Sequence, residues 1–84
     1  MNKRKLLRKL LASPNNARFD DVRVLIEAFG FRLVRVSGSH HIFSHPAVPE
    51  LVNLQEVAGE AKPYQVRQVL RLVERHNLTL DDVE

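Results

Sequence analysis

Leu6, Leu7, Leu10 and Leu11 recur at i, i+1, i+4 and i+5, surrounded by Lys and Arg. That spacing puts one apolar stripe on a basic helix over residues 3–12. Ser13-Pro14-Asn15-Asn16 breaks it,. Val22, Leu25, Ile26 and Phe29 then repeat at i, i+3, i+4 and i+7, which predicts a second helix over 19–29,. Asp20 and Asp21 fall in its first turn, where the helix dipole favours acids. Gly30 stands where a helix stops.

The period changes to two after Gly30. Phe31 to Val36 is β-branched, aromatic and alternating, and reads as a strand,. Ser37-Gly38-Ser39 is a turn, and His40 to His45 a second strand closed by Pro46, so the pair predicts an antiparallel hairpin. Pro46 to Pro49 reads as a loop, Leu51-Val52-Asn53-Leu54 as a third short strand, and Gly59-Glu60-Ala61-Lys62 as another loop. Pro63 suits the first turn of a helix. Val66, Val69, Leu70 and Val73 give that helix its stripe over 63–76, and Asn77 ends it. Thr79 is placed to cap a last turn with Asp82 three residues on. The order helix, helix, three strands, helix predicts an α+β fold, a three-stranded antiparallel sheet packed against helices with an extra N-terminal helix. Strand triplets followed by a helix are shared by double-stranded-RNA-binding domains, which meet RNA through shape and phosphate contacts.

The chain has 84 residues and no cysteine. The length fits one domain over 1–84, with 1–18 as basic helix and linker, 19–76 as the main body and 77–84 as a tail. Without Cys there is no disulfide, thiolate zinc site or thiol nucleophile. The net charge of +3 hides an asymmetry: residues 1–45 carry nine Lys/Arg and three acids, whereas residues 46–84 carry four and seven. A basic front half favours polyanions, nucleic acid first. No apolar run approaches the roughly 18–20 residues of a membrane span. Met1-Asn2-Lys3-Arg4-Lys5 opens like a signal peptide, but Arg8-Lys9 interrupts the leucines that follow, so no membrane partner and a cytoplasmic location are expected.

Gly38-Ser39-His40-His41-Ile42-Phe43-Ser44-His45-Pro46 holds three of the four histidines. On a strand, His41, Phe43 and His45 point one way, and His40, Ile42 and Ser44 the other. The pattern leaves open which set faces the helices. One reading is acid/base catalysis on RNA: a His takes the proton of a 2′-hydroxyl or gives one to the leaving 5′-oxygen, while Lys and Arg hold the phosphate. A second is a metal site, but His41 and His45 would lie about 13 Å apart at roughly 3.3 Å per residue, too far to share an ion on a regular strand. No metal and no cofactor are therefore expected. The third is structural, with polar residues on a half-exposed strand.

These residues carry a resemblance. Gly38 to Phe43 with His45-Pro46, after the strand Gly30-Phe31-Arg32-Leu33-Val34-Arg35 and before the helix Lys62-Pro63-Tyr64-Gln65-Val66-Arg67-Gln68-Val69-Leu70, is similar to the HicA family of toxins from type II toxin–antitoxin systems. The resemblance covers residues 19–76. It implies an mRNA interferase, a small ribonuclease with a fold like a double-stranded-RNA-binding domain, whose active site is covered by a HicB-type antitoxin. The family's catalytic His maps onto His41, which precedes Ile42, with His40 as second candidate. Mechanism then falls to histidine without a metal, and the partners are mRNA and the antitoxin.

Gly38 and Ser39 at the turn, Arg32 and Arg35 on the first strand, and Lys62 and Arg67 at the last helix are the candidate RNA contacts. Arg32 and Arg35 are expected on opposite faces of their strand. Arg67, Arg71 and Arg75 form one helix stripe that is either a phosphate contact or a solvated face. Phe19, Phe29, Phe31, Phe43 and Tyr64 are expected in the core, and His76 as a cap at the last helix's end. A non-catalytic RNA-binding module is the alternative, and a domain docking an acidic partner through its basic helix a further one.

Overall fold

The computed structural model describes residues 2–80. The first helix, α1 (Lys3–Ala12), starts where the Asn2 side chain accepts the backbone N–H of Arg4 at 2.8 Å and of Lys5 at 3.2 Å. Those bonds satisfy two of the donors that a helix start leaves unpaired. Leu6 and Leu10 are buried and Leu7 packs at the core's margin. Leu11, on the far side of the stripe, stays 58% exposed. The helix therefore docks on the rest of the fold, beside α2 (Phe19–Ala28), with Lys9 3.8 Å from Asp21.

Phe19, Val22, Leu25, Ile26 and Ala28 are the buried positions of α2. Gly30 ends it at φ +102°, and an added Cβ there would meet the His45 ring nitrogen Nε2 at 2.8 Å. Only glycine combines that backbone angle with that approach. Gly30→Ala is expected to cost about 1–3 kcal/mol, read as a lowered urea midpoint; an unchanged midpoint would show that the junction relaxes freely.

Four strands follow: β1 (Arg32–Ser37), β2 (His40–His45), β3 (Val48–Val57) and β4 (Glu60–Ala61). They form one antiparallel sheet in the order β1-β2-β3-β4. The architecture is the expected α+β one, with one strand more than the sequence pattern indicates. The third strand also begins earlier, at Val48 rather than Leu51, because Val48 pairs with His45 and is buried.

The extra strand lies in the stretch expected as a loop. Ala58 and Gly59 both have positive φ, 52° and 79°, so they turn β3 tightly into β4,. Ala58 gives no sign of this, since alanine rarely takes that conformation. The chain before α2 holds β4 in place: Ala61 donates to the Ala17 carbonyl and Phe19 to the Gly59 carbonyl, both at 2.9 Å.

The last helix, α3 (Pro63–Arg75), has Pro at its start and buries Gln65, Val66, Val69 and Leu72, with Leu70 and Val73 packed at the margin. Gln65 is the one buried polar side chain among the described residues. Its Oε1 accepts the Gln55 backbone N–H at 2.7 Å, which justifies its burial,. Asn77, at φ 52°, ends the helix, and Leu78 donates back to the Val73 carbonyl at 3.0 Å,. The expected Thr79–Asp82 cap involves Asp82, which lies outside the described residues. Of the five ring residues expected in the core, Tyr64 is the exception at 56% exposed. It sits on the outer side of α3's first turn, where its hydroxyl accepts from Gln65 Nε2 at 3.3 Å.

Candidate nucleic-acid site on the histidine hairpin

The β1–β2 hairpin turns at Gly38-Ser39. Gly38 has φ +59° while Ser39 is not among the positive-φ residues, an arrangement that places glycine first in a two-residue hairpin loop,. Nothing lies within 4 Å of a Cβ built on Gly38, so its role is conformational and the tip is open to solvent.

Pairing fixes the faces. Phe43 is fully buried opposite Val52, so His41, Phe43 and His45 face the helices and His40, Ile42 and Ser44 face away,. The three histidines then differ sharply. His45 uses both ring nitrogens internally: Nε2 lies 3.0 Å from the Phe29 carbonyl oxygen, and Nδ1 accepts the Ala47 N–H at 2.9 Å. A carbonyl only accepts, so Nε2 carries the proton and the ring is neutral. Its ring also meets Phe31 edge-on at 5.1 Å. His45 is a structural clamp between α2's end and the β2–β3 turn. His45→Ala is expected to lower stability by about 1–3 kcal/mol, because it strands a buried-side carbonyl and an amide, with RNA binding at the hairpin retained by the folded fraction; denaturant melts and binding isotherms separate the two.

His41 is arranged otherwise. Its Nδ1 lies 3.1 Å from the Ser39 carbonyl oxygen, and its ring is tilted 52° against Phe19 at 4.6 Å. The Ser39 carbonyl is itself held by the Glu56 N–H at 3.0 Å. The carbonyl places the proton on Nδ1. Among the described residues no group bonds Nε2, and it is not sealed from solvent. A fixed, half-buried ring thus keeps one nitrogen unbonded and open to solvent. His40, on the other face, is held by an exposed side chain alone, with Nδ1 3.2 Å from Asn53 Oδ1. Its orientation is the less constrained.

The expected separation of Arg32 and Arg35 is corrected by a β-bulge. Leu33 pairs with Phe43 and Arg35 with Ile42, so Val34 is an extra residue in β1,. Arg32 pairs with Ser44 and Arg35 with Ile42, which puts both guanidiniums on the face away from the helices, with His40. Neither makes an ion pair among the described residues.

Lys62 is the half-buried N-cap residue of α3, and Arg67 is exposed on that helix. Arg75 is drawn instead to Glu50, at 3.3 Å, so the arginine stripe of α3 is not uniform. His76 caps the helix end and approaches the same carboxylate at 3.6 Å. Among the described residues no group of three or more His, Asp or Glu side chains gathers in the manner of metal ligands.

Sequence reasoning missed the support around His41. Phe19 reads only as a core residue of α2, and the Ser39 carbonyl has no side-chain signature. The Phe19 contact depends on tertiary closure, and the Ser39 contact on the backbone of the hairpin turn.

Helices on one face of an antiparallel sheet, in the order α2-β1-β2-β3-β4-α3, define an α+β fold of the double-stranded-RNA-binding-domain kind. Residues 19–74 match the family described as "HicA toxin of bacterial toxin-antitoxin", and the chain belongs to that family. The matched span begins at α2, leaving α1 outside it. No curated relative and no solved structure matches the chain. Membership implies an antitoxin partner. Among the described residues, no helix is long and apolar enough to cross a membrane.

Proposed function

We propose that this chain is an endoribonuclease that cuts mRNA by histidine acid/base catalysis, blocks translation, and is neutralised by a HicB-type antitoxin. One observation carries the reading: His41 is held by the Ser39 carbonyl and the Phe19 ring, with Nε2 unbonded and not sealed from solvent. Fixing a general base in one tautomer and one orientation is what proton transfer from a bound hydroxyl requires. Nε2 takes the proton of a ribose 2′-hydroxyl, the 2′-oxygen attacks the adjacent phosphorus, and the bond to the 5′-oxygen breaks. The leaving oxygen receives a proton from the imidazolium or water, and the product is a 2′,3′-cyclic phosphate. Arg and Lys side chains offset the charge that develops on the phosphate. No step calls for a metal ion.

The test is incubation of purified protein with RNA in a chelator, with and without a HicB-type protein. Cleavage to cyclic-phosphate ends that the antitoxin suppresses supports the reading. RNA bound but left uncut would identify a non-catalytic RNA-binding module instead.

A further inference from the structure

Among the described residues, no other element covers the face of the sheet turned away from the helices. Arg32 and Arg35 on β1, His40, Ile42 and Ser44 on β2, and Asn53 on β3 share it. Its cations are Arg32 and Arg35 on β1, and β2 and β3 add no Lys or Arg to it. Following the same pairing outward, the first acidic side chain on it is Glu60, at the far edge on β4. Arg23 is drawn to Asp20 and Glu27, Lys9 to Asp21 and Arg75 to Glu50. Arg32 and Arg35 are not, although each guanidinium is a five-donor fork suited to phosphate.

The bulge at Val34 is what puts them together. In a regular strand, the pairing of Arg32 with Ser44 would send residue 35 to the helix side. One inserted residue gives up a ladder step and aims both arginines at one surface,. Among the described residues no strand continues the sheet beyond β1, so this face and the His41 side meet around an open edge and an open hairpin tip.

We propose that the open sheet face is a second RNA-binding surface. Single-stranded RNA lies on it with backbone phosphates on Arg32 and Arg35, and the strand passes over the β1 edge to present its scissile phosphate to His41. Charge complementarity selects the occupant: two arginines with no acid beside them on β1, β2 or β3 of this face match a polyanion,. The proposal rests on RNA being the ligand, though not on catalysis.

The experiment measures binding of a fluorescent oligouridylate to the full chain carrying His41→Gln, which prevents cleavage during titration. Arg32→Ala with Arg35→Ala is expected to weaken binding at least about tenfold at low salt and to reduce the salt slope by about 1.4, two phosphates at roughly 0.7 each. Ser44→Glu, which sets an anion in the middle of the face, is expected to weaken binding comparably. Native affinity and slope in both variants would overturn the proposal, as would a parent chain that does not bind RNA. If the arginine variant kept RNA affinity and lost the antitoxin, the face would belong to the protein partner and the proposal would be wrong. Binding that follows the proposal in a chain whose native form cuts no RNA would sink the nuclease reading alone.

Discussion

Replacing His41 with alanine is expected to lower RNA cleavage by about 10²–10⁴-fold, the usual contribution of a positioned proton-transfer group. Growth arrest on expression should be relieved in parallel. The ring also packs on Phe19, so some stability, about 0.5–1.5 kcal/mol, goes with it. His41→Gln separates the effects, because it keeps a polar side chain of similar reach that cannot shuttle a proton. Both variants should show native circular dichroism and cooperative melting while losing cleavage. RNA binding should persist, since the phosphate contacts lie on other side chains. Cleavage retained in His41→Ala and lost in His40→Ala would exchange the roles of the two histidines and refute the assignment.

Phe43→Ala is expected to be the most damaging core substitution in the hairpin. Phe43 is 0% exposed, sits between His41 and His45 on the helix-facing side, and pairs with Leu33 and Val52 across both strand neighbours. Truncating a buried Phe to Ala costs about 3–5 kcal/mol. At roughly 0.05–0.15 kcal/mol per residue a chain of 84 residues has about 4–13 kcal/mol to lose, so this is a large share,. The midpoint of thermal unfolding should fall by about 12–40 °C, since each kcal/mol moves it roughly 4–8 °C in small domains. Phe43→Leu should retain most of the stability. A loss below about 1 kcal/mol for the alanine variant would contradict the central packing of this ring. Because β2 carries Phe43 and the histidines alike, cleavage in the alanine variant should track the folded fraction.

Helix placement was readable because burial follows the 3.6-residue period. Leu6 and Leu10, Val22, Leu25 and Ile26, and Val66 and Val69 are buried where the spacing puts them. The hairpin was readable from its change of period and its Gly38 turn. β4 was not: a two-residue strand has no periodicity, and it exists because residues 17–19 pair with it from outside. The bulge at Val34 was equally silent, since no residue type there demands one. It reversed the expected relation of Arg32 and Arg35.

The sequence by itself determined the α+β order of elements, the grouping of histidines beside a glycine turn, and the basic front half, because local propensity and spacing encode these. Only the tertiary structure decided what each histidine is free to do. Ile42 and Phe43 are both apolar, so alternation could not choose the buried face; the packing of α2 and α3 on one side of the sheet chose it. That choice consumed both nitrogens of His45, set His41 against Phe19 with Nε2 unbonded, and left His40 with two arginines on the opposite surface. Hydrogen-bond and packing partners, local ones at Ser39 and Ala47 together with distant ones at Phe19, Phe29 and Asn53, made the difference among three chemically identical side chains.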